Sequence, residues 1–170
     1  MLLLEIVVAL SILASPMPTA NRPDVAAWAS DTFKIIEPCS HDYTAMTHAL
    51  GGLHAARTAA QDMKVLQFAT PAAYIALSTC AVASIDMDPL FMSLSPSDQA
   101  AIHADVRVMH AAQTMDSAMR DAARAAQDII TVAKTENAHV LEDASRRMQA
   151  STLESNSATD QIQVLVTAYS

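Results

Sequence analysis

The chain has 170 residues, which is enough for one domain built around one core. Its net charge of −8, with no basic cluster to offset it, argues against nucleic acid as a partner. Abundant alanine, few aromatic residues and few β-branched runs predict an all-α protein: a single-domain bundle of about five helices, with a long third helix.

The N-terminal segment, residues 1–20, is apolar as far as Ala14 and then continues into prolines and small residues. This pattern predicts a secretory signal peptide followed by a helical bundle domain over residues 21–170. The apolar run would form only about 20 Å of helix, against a hydrocarbon core of about 30 Å, so we expect no stable transmembrane span. The protein is therefore expected to be secreted into the extracellular space, where a cell wall is one destination.

An alternative interpretation keeps the N-terminus in place. Glu5 interrupts the apolar run, and the chain has no positive charge ahead of that run except the α-amino group. A glutamate at the fifth position of an apolar N-terminal helix resembles a processed pilin. The alternative function is a structural or assembly subunit with an uncleaved apolar N-terminal helix, either pilin-like or tethered to a membrane.

The first predicted helix runs from about Asp24 to Leu50. Its mostly apolar residues recur at alternating steps of three and four, and Pro38 does not shift their phase, so we expect one kinked helix. The adjacent glycines Gly51-Gly52 predict a tight reversal directly after it. The inward stripe of this helix is Val25, Ala29, Thr32, Ile36, Cys39, Tyr43, Met46 and Leu50.

The second predicted helix carries a similar stripe from Ala56 to Ser84, and it is expected to be kinked or broken at Thr70, just before Pro71. Residues 86–94 contain two acids and a proline among bulky apolar residues, so they are predicted to connect helices and to fold back onto the core.

The third helix has the clearest signals in the chain. Ser95-Pro96-Ser97-Asp98 combines an N-cap serine, a proline at the first helical position and an acid in the first turn. A strict alternation of steps follows as far as Val132 and fails at Glu136. Two shorter helices are predicted beyond it, one through Leu141, Ala144 and Met148, and one following Ser157-Ala-Thr-Asp160. The apolar stripe of the third helix is Ala104, Val108, Ala111, Met115, Ala118, Ala122, Ala125, Ile129 and Val132.

A second, bulkier stripe on the third helix suggests a binding site. The alanine stripe lets one neighbouring helix pack closely. The methionines of the other stripe are flexible, so the third helix can separate from a second neighbour at a modest cost in free energy. We predict an apolar space that takes a fatty acid or another lipid, with Arg57, Lys64 or Arg107 required near its mouth for a carboxylate. The predicted walls are Val106, Met109 and Met119 of the third helix, with Met46, Leu50 and Leu66 opposite.

No pattern in the sequence indicates an enzyme, a cofactor or a metal site. Two glycines cannot build a phosphate-binding loop, and the motifs of the common hydrolases and metalloproteases do not occur. His41 and His48, like His103 and His110, are spaced by seven residues, or about 10.5 Å along a helix, which is too far for two ligands of one ion. We therefore expect these histidines to be solvated.

Cys39 and Cys80 are the two cysteines of the chain. If the chain reverses at Gly51-Gly52, their positions along the paired helices differ by about 24 Å, far beyond a Cα separation near 6 Å. We therefore predict buried free cysteines, and only a reversal at Pro71 would permit a disulfide.

The order of these features resembles one protein family. A leader, a helix ending in Gly51-Gly52, an alanine-rich second helix, an entry at Leu94-Ser-Pro-Ser-Asp98 and a long helix reaching Lys134 are similar to the fungal hydrophobic surface-binding protein A and cell-wall galactomannoprotein family. The resemblance covers roughly residues 24–168. It implies a secreted helical protein that binds hydrophobic surfaces, or a fatty-acid-like lipid between its helices.

Overall fold

A computed structural model describes residues 23–55, 58–136 and 138–169. These residues form five α-helices, and no strand occurs in the described ranges, so the prediction of an all-α bundle of about five helices is confirmed. The predicted leader lies outside the described residues. The helices are α1 (Pro23–Leu50), α2 (Ala59–Met92), α3 (Pro96–Ala104), α4 (Val106–Thr135) and α5 (Ala138–Tyr169), with a 3-10 helix over Gly51–Ala55.

Four long helices enclose the core. α1 packs against α2, α2 against α4, α4 against α5, and α5 closes the ring on α1. The short α3 lies against α1 and α4, where it links α2 to α4. Each long helix therefore has one side toward its neighbours in the bundle and one side toward solvent.

α1 buries the stripe that its sequence predicts. From Ala29 to Leu50, every residue of that stripe lies in the core, and the helix continues without a break through Pro38. Tyr43 links α1 to α5, because its hydroxyl donates a hydrogen bond to the carbonyl of Met148 at 3.0 Å. The side chain of Val25, the first member of the stripe, lies outside the described residues.

The prediction of two free cysteines is wrong. Cys39 of α1 and Cys80 of α2 form a disulfide, with their Cα atoms 4.5 Å apart. The error lies in where the chain reverses: the 3-10 helix continues past Gly51 and Gly52 to Ala55, and α2 begins only at Ala59. The start of α2 therefore lies midway in sequence between the two cysteines. The stretch of chain back to Cys39 is as long as the stretch forward to Cys80, which places the two cysteines side by side.

Of the kink or break predicted at Thr70, the break does not occur, since α2 is continuous through Pro71 and Pro89 to Met92. A proline inside a helix leaves the carbonyl four residues before it without an amide donor. Pro71 and Pro89 are exposed, and so are Gln67 and Ile85, the residues four positions earlier. The affected carbonyls lie on the solvent side of the helix, where water can take the place of the missing donors. Most of the predicted connection, residues 86–94, is therefore the last part of α2.

The predicted long third helix is present but interrupted at one residue. It starts as expected, with the Ser95 side chain accepting a hydrogen bond from the amide of Asp98. Asp105 then ends α3 and starts α4, because its carboxylate accepts a hydrogen bond from the amide of Arg107 and forms an ion pair with the Arg107 side chain at 3.0 Å. An aspartate side chain can replace helical hydrogen bonds in this way. The spacing of apolar residues does not reveal such a break.

The C-terminal part of the chain forms one helix where two were predicted. α5 runs from Ala138 to Tyr169 and includes Ser157 and Asp160, which we had interpreted as a helix start. A capping sequence does not end a helix by itself, and no proline or glycine follows residue 96 to interrupt this one. The sequence pattern predicts that Ile162, Leu165, Val166 and Tyr169 point inward, and these side chains lie outside the described residues.

The alanine stripes of α2 and α4 form the centre of the core. On α4, every residue of the predicted stripe except Ala104 is buried. α2 contributes a matching row of small residues toward α1 and α4. Small side chains let helix backbones approach closely, so the bundle is filled without most of the bulky residues of α2. The buried residues of α2 are Leu66, Ala69, Ala73, Ala76, Cys80 and Ala83.

Candidate functional site

The side of α2 that faces away from the bundle carries large apolar side chains exposed to solvent. Phe68 is 76% exposed, Ile75 55%, and Ile85 68%. Six of the eight large apolar residues that are exposed in the described part of the chain belong to this helix: Phe68, Tyr74, Ile75, Val82, Ile85 and Met92. We define the outward α2 face as Phe68, Pro71, Ile75, Ser78, Val82, Ile85, Pro89 and Met92, residues spaced by alternating steps of three and four.

The outward α2 face contains no charged residue over most of its length. From Val65 to Ile85 the sequence has no Asp, Glu, Lys, Arg or His, a run of 21 residues. This run covers about 30 Å of helix. Lys64 precedes it and Asp86 follows it, so charge appears only at the two ends. Beside the face, the ammonium group of Lys134 lies 5.5 Å from the ring centre of Tyr74.

α2 is also long and apolar enough to cross a membrane by length and composition. The helix from Ala60 to Met92 has an 18-residue window with a mean hydropathy of 1.5, of which 28% is buried inside the bundle. The expectation of no membrane span concerns the N-terminal run, and α2 is a separate segment.

A second apolar feature is the cleft between α1 and α5. It is an open groove of about 1060 Å³, with Phe33, Ile36 and Ala45 on the α1 side and Met119 of α4 also in its lining. Ser155 and Thr159 of α5 form the opposite side. The mouth is polar and carries Lys34, which pairs with Asp31 at 2.6 Å, together with Glu37, His41 and His48.

The buried Tyr43 marks the inner end of this groove. A smaller pocket of about 260 Å³ continues the cleft past Met119 to Tyr43 and Cys39. Burial raises the pKa of Tyr43 to about 12, and hydrogen bonding of its hydroxyl by Ser151 and Thr152 offsets only part of this rise. Tyr43 is therefore neutral at physiological pH and acts as a hydrogen-bond donor that fixes α5 on α1.

A third pocket lies at the end of the bundle, beside α3. It has a volume of about 320 Å³ and is lined by Trp28, Phe91, Ile102, His103 and Met109 among others. The rings of Trp28 and Phe91 meet edge to face with their centres 6.2 Å apart, and Phe91 meets the His103 ring in the same way at 5.1 Å. Two acids, Asp88 and Asp116, also lie in its lining and disfavour an anionic ligand.

The six residues predicted to surround one apolar space are distributed over several environments. Met46, Leu50 and Leu66 are fully packed in the core. Met119 lies at the α1/α5 cleft, whereas Met109 lines the pocket beside α3. The sixth, Val106, is 78% exposed at the start of α4, so it does not wall an enclosed space with the others.

The basic residues considered for a carboxylate are also separated. Arg107 is occupied by Asp105, Lys64 is exposed on α2, and Arg57 lies outside the described residues. The cation that does lie at an apolar groove is Lys34, which the sequence analysis did not select.

Within the described ranges, no group of three or more His, Cys, Asp or Glu residues could hold a metal ion. His41 lies beside Asp42 at 3.1 Å, and His110 contacts Thr114 at 3.0 Å. Neither pair of histidines forms a chelating arrangement.

The geometry defines a class of protein: an all-α, disulfide-linked bundle of four long helices in which one helix is apolar on both of its sides. No family model, no curated protein and no solved structure matches the chain. A function must therefore be argued from the molecule itself.

Proposed function

We propose that this protein binds hydrophobic surfaces, and that the outward α2 face makes the contact. The observation that carries the proposal is the exposed apolar side of α2 from Phe68 to Met92, which follows a run without charged residues from Val65 to Ile85. Large contiguous apolar patches are rare on soluble monomers and commonly mark a binding surface. The fungal family that the sequence resembles implies the same function.

The energy of such binding can be estimated from side-chain burial. Removing one exposed Phe, Ile, Val or Met side chain from water contributes roughly 1–2 kcal/mol when part of it is already covered. Five such side chains, Phe68, Ile75, Val82, Ile85 and Met92, lie along this side of α2 and can contact a flat surface together, so their contributions add in favour of adsorption. A flat or gently curved apolar phase suits this face better than a small molecule, because the face is convex and has no enclosing walls.

The test compares adsorption of four variants of the full chain to polystyrene beads or an oil–water interface. Ile75→Glu and Val82→Glu place a charge in the outward α2 face and are expected to reduce adsorption about tenfold or more. Val106→Glu and Leu153→Glu are matched controls, because these residues are also large, apolar and exposed but lie on α4 and α5. Equal adsorption of all four variants would reject the proposal. Because every variant keeps residues 1–22, any adsorption through that segment cancels in the comparison.

A second candidate function is the binding of an acyl chain in the α1/α5 cleft. It rests on the volume of the groove, its apolar residues Phe33, Ile36 and Met119, and the position of Lys34 at its mouth. Calorimetric titration with a long-chain fatty acid and its methyl ester tests this candidate. Ala45→Phe should fill the groove and weaken both ligands, while Lys34→Gln should weaken the acid alone. No saturable binding of either ligand to the natural sequence would remove this candidate.

We propose further that the protein functions outside the cell. Disulfides form and persist in oxidising compartments, so the Cys39–Cys80 disulfide supports export. The apolar segment over residues 1–20 would then be the leader that directs it. N-terminal sequencing of protein isolated from its natural source should return a start near residue 15 or 21, and recovery of Met1 would contradict cleavage.

A further inference from the structure

The outward α2 face has the spacing of a helix-pairing seam. Its eight residues, from Phe68 to Met92, follow the steps 3,4,3,4,3,4,3, which is the alternation of a heptad repeat. That spacing keeps one row of side chains facing a second helix over several turns, whereas the other side of α2 already packs against α1 and α4. We propose that two copies of this chain pair in water through this face, with the two α2 helices antiparallel.

The charges at the ends of the face select the orientation. Asp62 and Lys64 precede the uncharged run, and Asp86 and Asp88 follow it, so one end of the face is neutral overall and the other carries two negative charges. An antiparallel pair that sets Ile75 of one copy against Ser78 of the other places Lys64 within one turn of Asp86 of the other copy, at both ends of the seam. A parallel pair would instead bring Asp86 and Asp88 of both copies together at one end of the seam.

The layers of this antiparallel seam match bulky residues with smaller ones. Phe68 meets Ile85 of the second copy, Pro71 meets Val82, and Ile75 meets Ser78, each layer occurring twice by symmetry. The small Ser78 lets the two helices approach closely at the centre. The prolines do not obstruct pairing, since helices pair through side chains and require no backbone donor from Pro71 or Pro89.

This inference goes beyond the proposed function, because it states what covers the face in the absence of an apolar surface. Either proposal can fail alone. Sedimentation velocity measures the pairing in water, whereas bead adsorption at submicromolar protein measures surface binding, so their outcomes are separable.

The experiment measures the dimerisation constant of the full chain by sedimentation from about 1 to about 100 µM. Lys64→Glu and the paired reversal Asp86→Lys/Asp88→Lys should each weaken pairing about tenfold, by turning attraction into repulsion at both ends of the seam, and combining the three changes should restore it. Ile75→Glu should abolish pairing over this range, while Leu153→Glu should leave it unchanged.

Three results would overturn the inference. A monomer at every concentration means that the face is not covered by a second copy. A dimer that Ile75→Glu leaves intact places the interface elsewhere. A dimer that Ile75→Glu disrupts but the charge reversals leave unaffected is not antiparallel in this register. Circular dichroism of each variant confirms that the bundle is folded, so loss of pairing cannot be attributed to unfolding.

Discussion

α2 and α4 are neighbouring helices of similar length, with 34 and 30 residues, and each buries a stripe rich in alanine. Their outer sides differ. α4 presents charged residues to solvent and links them by ion pairs, such as Asp116 with Arg120 at 2.6 Å and Asp121 with Arg124 at 3.6 Å. α2 presents Phe68, Ile75, Val82 and Ile85, with no charged residue between Lys64 and Asp86.

This difference between the outer sides of α2 and α4 distinguishes apolar residues that pack inside the bundle from apolar residues that do not. A helix that belongs only to the core of a soluble bundle is apolar on one side, as α4 is. The inner side of α2 satisfies the same requirement, yet its outer side is apolar as well. Burial within this bundle therefore explains the apolar pattern of α4 except at Val106, whereas it explains only the inner side of α2. The outer side of α2 is the basis of the proposed surface binding.

The largest expected effect tests how α2 is held in place. Replacing Cys39 and Cys80 together by alanine should lower the free energy of unfolding by about 4 kcal/mol, because the disulfide closes a loop between residues 41 positions apart. Thermal unfolding monitored by circular dichroism should show a melting temperature lower by about 10 °C. Treatment of the natural sequence with reductant should give the same shift, and an unchanged melting temperature in both would show that the bridge does not form.

A core truncation on α4 and a surface truncation on α2 compare the two helices directly. Met115 is fully buried, so Met115→Ala should cost about 3 kcal/mol of stability. Phe68→Ala should cost less than about 0.5 kcal/mol, since most of the ring is in water, and it should reduce adsorption to apolar beads. Chemical denaturation measures both changes. If Phe68→Ala destabilised the protein as much as Met115→Ala, the outer side of α2 would be part of the folded core.

A smaller effect concerns the opposite side of the ring, where Tyr43 joins α1 to α5. At neutral pH, Tyr43→Phe removes one hydrogen bond and should cost about 1 kcal/mol. The pKa of Tyr43 is raised to about 12 in the folded protein, from about 10 in the unfolded chain. The stability linked to this group is therefore fully present below pH 10 and is lost as the pH rises toward 12. Denaturant midpoints between pH 9 and 12 should fall more steeply for the natural sequence than for Tyr43→Phe, and parallel slopes would contradict the shift.

Much of the fold could be predicted because helix signals are local. The inward stripe of α1, the start of α3 at Ser95 and the alanine stripe of α4 follow from spacing and capping alone, and the structure confirms them. The break at Asp105 and the uninterrupted α5 could not be predicted in the same way. In both places a polar side chain could either cap a helix or lie within one, and tertiary packing decides between the two.

The disulfide and the outward α2 face were missed for different reasons. The pairing of Cys39 with Cys80 depends on where the chain reverses, and the two glycines suggested a reversal several residues too early. The outward α2 face was visible in the sequence as the uncharged run from Val65 to Ile85. The periodicity that identifies the inner stripe of that helix also occurs on its other side. Apolar residues spaced from Phe68 to Met92 at steps of three and four were the available signal.

Carbene footprinting of the full chain, free in dilute solution and adsorbed to polystyrene beads, tests most directly whether the outward α2 face binds apolar surfaces. Carbene labels whatever side chains the solvent reaches, and an apolar surface shields those that contact it. Adsorption should lower labelling of the peptides between Phe68 and Met92 at least severalfold, while Val106 and Leu153 keep their labelling. Unchanged labelling of α2, with protection confined to another helix or to residues 1–22, would contradict the assignment of surface binding to α2.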